Sequence, residues 1–165
     1  MKIKEYKLVQ DKNLHSKLKE VQSFEYDGKV ERSFQFVVKM FCTLYSLDKC
    51  VDEYVYALAL NANGEWLGIA NIAHGGQSEA SVDCKTLFSF LLLSGASKFI
   101  VLHNHPSGIL RVSDSDYEIT ETIEDGAKLL DLNMIEHIVI SKKGYSLINE
   151  YKKYGNDNVL PFIDF

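Results

Sequence analysis

Two histidines one residue apart, His103 and His105, are followed after ten intervening residues by Asp116. Neutral imidazoles and a carboxylate are a donor set for zinc, and three protein ligands leave a fourth position for water. Zinc draws the pKa of such a water toward neutrality, and a nearby carboxylate can take its proton, so the chemistry on offer is hydrolysis. Plainer roles compete. Ser113 and Asp116 have the spacing of a helix capping box, Ser115 and Glu118 repeat it, and Asp114 is an ordinary helix-start acid. Residue types alone leave both readings open.

The elements that must position these residues can be read from pattern. The apolar run Phe99–Leu102 predicts a buried strand from Lys98 to His103. Residues i and i+2 of a strand share a face, so His103 points with Val101 and Phe99, and His105 converges with it just past the strand end. Pro106, Ser107 and Gly108 make a turn, and a helix opens near Ser113 with Ile119, Ile123, Ala127 and Leu130 on one face. Upstream, Val37, Met40, Phe41 and Leu44 have helical spacing within 33–47, and Glu53–Leu60 reads as a strand ending at the Asn63-Gly64 hairpin turn. Glu65–His74 is the return strand. Ser81 or Asp83 can cap a helix carrying Cys84, Leu87, Phe88, Leu91 and Leu92, with Gly95 at its C-terminal end. Met134–Ser141 alternates as a strand, and Lys143-Gly144 turns into a short strand, Tyr145–Ile148. At the N-terminus, Ile3–Val9 reads as an edge strand, Leu14–Val21 as a short helix and Asp27-Gly28 as a turn. This order predicts an α/β sandwich around a mixed sheet. It divides into an N-terminal extension (1–30), a main domain (31–150) and an apolar tail (151–165).

Composition narrows the classes. The chain has 165 residues, 46% apolar, 25% charged and a net charge of −5, as expected of one soluble globular domain. The acidic balance argues against nucleic acid, because non-specific binding needs a basic surface; the one basic cluster, Lys142, Lys143, Lys152 and Lys153, reads as solvated surface. No apolar stretch has the length of a signal peptide core or a membrane span, so the expectation is a cytoplasmic protein without a membrane partner. Cys42, Cys50 and Cys84 form no C-x-x-C pair and suit reduced, packed thiols. His137, in the alternating strand, reads as a structural hydrogen-bonding residue, with a supporting role behind the metal ligands left open. His15 and His74 carry no pattern.

The full wording of the motif resembles a known family. His103-x-His105, ten residues and Asp116, with Ser113 three residues before the acid, is similar to the JAMM signature of JAB/MPN metalloproteases. HNHPSG at 103–108, LLLSGASKFIVL before it and GAKLLDLNMIEHIVISKKGYSLIN after it resemble the bacterial RadC-like branch. The resemblance spans about 30–149 and implies an MPN (JAB)-like three-layer α/β sandwich of the cytidine-deaminase-like kind, with a mixed, mostly antiparallel sheet. It implies one Zn²⁺ on His103, His105 and Asp116. It also implies that Glu53 is the general base and that Ser113 steadies the oxyanion. The implied partner is a peptide or protein substrate, cut at a peptide or isopeptide bond. Two departures touch substrate choice: Ile109-Leu110-Arg111-Val112 stands where relatives carry prolines, and Asp83-Cys84-Lys85 where they carry Pro-Arg-Glu.

Two other function classes set the comparison. A non-catalytic MPN-type scaffold has no need of the full ligand set, which this chain keeps; the apolar tail Val159–Phe165 would suit a partner or a homodimer in either case. A nucleic-acid enzyme linked to DNA repair is disfavoured by charge, and a zinc deaminase by the missing C-x-x-C.

Overall fold

The computed structural model describes residues 2–25, 33–76, 82–149 and 159–160. Eight strands form one sheet in the order β2-β1-β4-β3-β5-β6-β7-β8. They are β1 (Lys2–Gln10), β2 (Ser16–Glu25), β3 (Tyr54–Leu60), β4 (Trp66–His74), β5 (Lys98–Asn104), β6 (Asn133–Ser141), β7 (Gly144–Leu147) and β8 (Val159–Leu160). Only β1–β4 and β5–β6 pair in parallel; the other neighbours are antiparallel. The helices are α1 (Phe34–Tyr45), α2 (Cys84–Leu93) and α3 (Asp114–Leu129). The result is the mixed α/β sandwich expected.

Strand periodicity divides the core in two. The even-numbered residues Tyr56, Leu58, Leu60, Ile100 and Leu102 bury against Val37, Val38, Met40 and Phe41 of α1. The odd-numbered Val55, Ala57, Ala59, Phe99 and Val101 bury on the other face, against Leu87, Phe90 and Leu91 of α2 and Ile123 and Ala127 of α3. A strand paired on both sides and covered on both faces reads as a continuous apolar run rather than an alternating one, which is why β3 and β5 are the plainest segments in the sequence. Asn61 organises the β3–β4 turn, its Oδ1 accepting from the N–H groups of Asn63 and Glu65, while Gly64 supplies the positive φ of 79°. Asp83 caps α2 and Gly95 follows it at φ 71°.

The N-terminal expectations need correcting. Leu14–Val21 is not a helix. Leu14, Leu18 and Val21 have helical spacing, but Leu14 sits in a turn at φ 65° and is 74% exposed. Asp11 builds that turn by accepting from the N–H groups of Asn13 and His15. The chain then returns as β2, paired antiparallel along the whole of β1. Nor is β1 the edge: it lies between β2 and β4, and β2 takes the outer position. Long-range pairing with β1 outweighs a weak local helical period. The tail supplies β8, which pairs with β7 (Tyr145 opposite Leu160), so this part of it packs on its own sheet. The Asp27-Gly28 turn, Ser81, Lys152, Lys153 and the rest of the tail lie outside the described residues.

The hairpin is held to β4 through a glycine. A Cβ on Gly68 would lie 2.5 Å from Tyr6 Cε2 and 3.2 Å from the Lys4 carbonyl oxygen, so the Tyr6 ring and the β1 backbone both close over it. Gly68→Ala is expected to destabilise the protein by about 1–3 kcal/mol, the usual cost of overpacking. Chemical denaturation reads the loss, and amide exchange of β1 and β2 should rise before that of β5. An unchanged denaturation midpoint would show that the hairpin docks some other way.

Candidate metal centre

β5 ends at His103-Asn104, His105 follows it directly, and the three side chains do different work. His103 lies on the α3 face, 2% exposed. Its Nε2 is 3.0 Å from His105 Nε2 and 3.2 Å from Asp116 Oδ1, and His105 Nε2 is 3.4 Å from Asp116 Oδ2. In a tetrahedral zinc site with bonds of roughly 2.0–2.1 Å, ligand atoms stand about 3.3–3.4 Å apart. The three side chains therefore converge on a volume of the right size, and they are a group of His, Cys, Asp or Glu within metal-binding reach among the described residues.

Hydrogen bonding gives the cluster its need for a cation. His105 Nδ1 is 2.7 Å from the Ile109 carbonyl oxygen, which can only accept, so Nδ1 carries the proton. Nε2 of the neutral ring is then bare and faces His103 Nε2 and a carboxylate. Acceptors that close repel one another unless a proton or a metal ion supplies positive charge. The titration behaviour agrees. Burial pushes the Asp116 carboxyl up, but contacts to His103, His105 and Ser113 outweigh it and hold the group well below the carboxylate range. Burial lowers His105, yet Asp116, the Ile109 carbonyl and the charge of Glu53 together raise it above 6.5.

Asp116 reaches the cluster from the first turn of α3. Ser113 is the N-cap, and the capping box is complete. The Asp116 N–H donates to Ser113 Oγ at 3.1 Å, and Asp116 Oδ2 accepts from the Ser113 N–H at 2.8 Å and from its hydroxyl at 2.7 Å. The cap and the metal-facing role are thus not rivals, because the same carboxylate serves both. Ser115 and Glu118 do not form the box, and Asp114 is exposed. The loop from 105 to 113 is fixed by burial and by a side-chain bond from β7. Leu110 and Val112 bury against Val139 and Ile148, and Ser146 Oγ donates to the Leu110 carbonyl at 2.9 Å.

Glu53 sits just before β3, its backbone bonded to Gly75 and Gly76. Val55 is the cross-strand partner of His103, and Glu53 and His105 each stand two residues beyond that pair, just past the ends of β3 and β5. The effect of the Glu53 charge on His105 is consistent with that placement. Asn104, which sequence reasoning gave no role, fixes this segment. Its Nδ2 donates to the Asp52 carbonyl at 3.0 Å and its Oδ1 accepts from the Tyr54 N–H at 2.8 Å, so one buried amide grips the backbone on both sides of Glu53. An Asn between two metal-ligand candidates was the only available signal. His137 makes the hydrogen bond expected of it, and makes it to a metal-ligand candidate: its Nε2 is 2.8 Å from His103 Nδ1. His74 and His15 lie apart from the cluster, each beside an aspartate. The three cysteines are free thiols, and burial pushes the Cys42 thiol up to about 12, which leaves it unreactive. No helix among the described residues is long and apolar enough to cross a membrane.

A family model described as the RadC-like JAB domain matches residues 32–153, leaving the β1–β2 hairpin outside the match. Proteins called "UPF0758 protein" are similar. That of Porphyromonas gingivalis is 34% identical over 92 residues, 56% of this chain and 40% of its own length. That of Flavobacterium johnsoniae is 34% identical over 99 residues, 59% of this chain and 43% of its own. That of Finegoldia magna is 30% identical over 105 residues, 64% and 46% respectively. The matched part thus covers less than half the length of these curated relatives.

Proposed function

Because the chain belongs to the RadC-like JAB domain family, whose fold carries a His-His-Asp cluster here, we propose that it is a zinc-dependent hydrolase of peptide or isopeptide bonds. The observation that carries this reading is the convergence of His103 Nε2, His105 Nε2 and an Asp116 carboxylate, with Glu53 near enough for its charge to act on His105. When bound there, Zn²⁺ would supply a Lewis acid for the scissile carbonyl and for water. Glu53 takes the proton from the attacking water and passes it to the leaving amine. His103 and His105 stay neutral in this role, and Asp116 stays ionised. Ser113 holds Asp116 in place; to reach a developing oxyanion its hydroxyl must first give up Asp116 Oδ2.

The test is elemental analysis of protein produced with ample metal, followed by a panel of peptide and lysine-isopeptide substrates. The expected result is one zinc per chain and chelator-sensitive cleavage. Bound zinc with no cleavage across the panel would favour a scaffold that binds a protein partner, and absence of zinc would overturn the reading.

A further inference from the structure

Behind His103 runs a hydrogen-bond chain whose direction can be deduced from its far end. The Thr120 hydroxyl bonds to the Asp116 carbonyl oxygen, one turn back on α3. Two oxygens in such contact need a proton between them, and only the hydroxyl has one. Thr120 Oγ1 must then accept at its other contact, His137 Nδ1 at 2.7 Å, so His137 carries its proton on Nδ1. The Nε2 of a neutral His137 is left as an acceptor, 2.8 Å from His103 Nδ1, so that nitrogen carries the proton of His103. What remains on His103 is a bare Nε2, turned toward His105 and Asp116. A backbone carbonyl thus dictates, through two side chains, which nitrogen of His103 offers its lone pair. His103, His137 and Thr120 are buried residues, 0–2% exposed, so water does not compete for these bonds.

We propose that His137 and Thr120 are positioning residues that lock His103 in its Nδ1–H tautomer and tie it, through Asp116's own main chain, to the helix turn that delivers Asp116. The proposal rests on the metal reading above, but it concerns the protein before any metal arrives. Two ligand candidates on different elements, β5 and α3, are joined through β6 by one chain of hydrogen bonds: His103, His137, Thr120 and the main chain of Asp116. Such a chain ties together the strand and the helix turn that carry two of the three donors, so a metal meets a prepared site rather than assembling one.

Nitrogen NMR of the metal-free protein, at a pH where the rings are neutral, reads the tautomer directly. The expected spectrum has His103 protonated at Nδ1; protonation at Nε2 would overturn the proposal. Zn²⁺ affinity, measured by competition with a chromophoric chelator, gives the second readout. Thr120→Val keeps the shape and removes the hydroxyl; His137→Leu removes both ring contacts. Each is expected to weaken Zn²⁺ binding about 10–100-fold. His137→Gln, whose carbonyl can accept from His103 and whose amide can donate to Thr120, should restore most of it. A purely structural role would lower the melting temperature of the metal-free variants and leave both tautomer and affinity unmoved, which would overturn the proposal. If His137→Leu fails to fold, Thr120→Val and the wild-type spectrum still decide. Wild-type protein that binds no Zn²⁺ would sink the hydrolase reading, while the tautomer would still be read in the same sample.

Discussion

Glu53→Gln should keep a full complement of zinc and lose hydrolysis by about 10²–10⁴-fold, the range a positioned general base contributes. The substitution is close to isosteric and keeps a carbonyl oxygen, so it removes basicity without removing bulk. It is also a clean test for a structural reason. The backbone at Glu53 is held from three sides, by Gly75 and Gly76 across the β3–β4 ladder and by the Asn104 amide on Asp52 and Tyr54. None of those bonds involves the Glu53 side chain. His103, His105 and Asp116 belong to other segments, so the metal centre should survive intact. Zinc content by elemental analysis and turnover of whichever substrate the panel identifies are the two measurements. Wild-type turnover by the variant would mean that another group takes the proton, and zinc lost with activity would mean that Glu53 supports the site rather than the reaction.

The parts of this site that could be read from sequence are those whose signals are local. Phe99–Leu102 is a strand because it is apolar throughout, and Ser113 starts a helix because a hydroxyl and an acid three residues apart cap one. The motif then places two histidines and Asp116 at the ends of those elements, and the structure brings them within 3.0–3.4 Å of one another. What escaped were relations between distant segments. Asn104 and Asp52 are 52 residues apart, and His103 and His137 are 34 apart. No period or cap announces either contact. β2 escaped for the opposite reason. It is mostly exposed, so it lacks the alternation that marks a half-buried strand, and only its pairing with β1 makes it one. Glu53 lies between these cases: a strand-end acid by its own pattern, given a role by family resemblance, and found two residues before Val55, the β3 partner of His103.

Zinc should stabilise the protein strongly, and the gain should widen as pH rises from about 6 to about 8, across the range where histidine changes charge. At free zinc near a thousand times its Kd the gain is about 4 kcal/mol, or roughly 8–16 °C in melting temperature for a domain of this size. The pH sign follows from two groups. In metal-free protein His105 titrates above 6.5, its value when unfolded. Its contribution is therefore fully present below 6.5 and is lost as pH rises through the folded value. Asp116 is depressed below 3.8, so its contribution is present above 3.8 and is lost only as pH falls through a much lower value. Between these limits metal-free protein is at its best, and above 6.5 it weakens as His105 gives up its proton beside the Asp116 charge. Zinc reverses that trend, since it binds the neutral imidazole and competes with the same proton. The two melting curves should diverge with pH, readable by calorimetry with and without chelator. Asp116→Asn can still accept from Ser113 but lacks the charge, so it should keep the cap, lose most of the zinc gain and flatten the metal-free dependence above 6.5. A zinc gain that shrinks with rising pH, or survives Asp116→Asn, would place the metal elsewhere in the molecule.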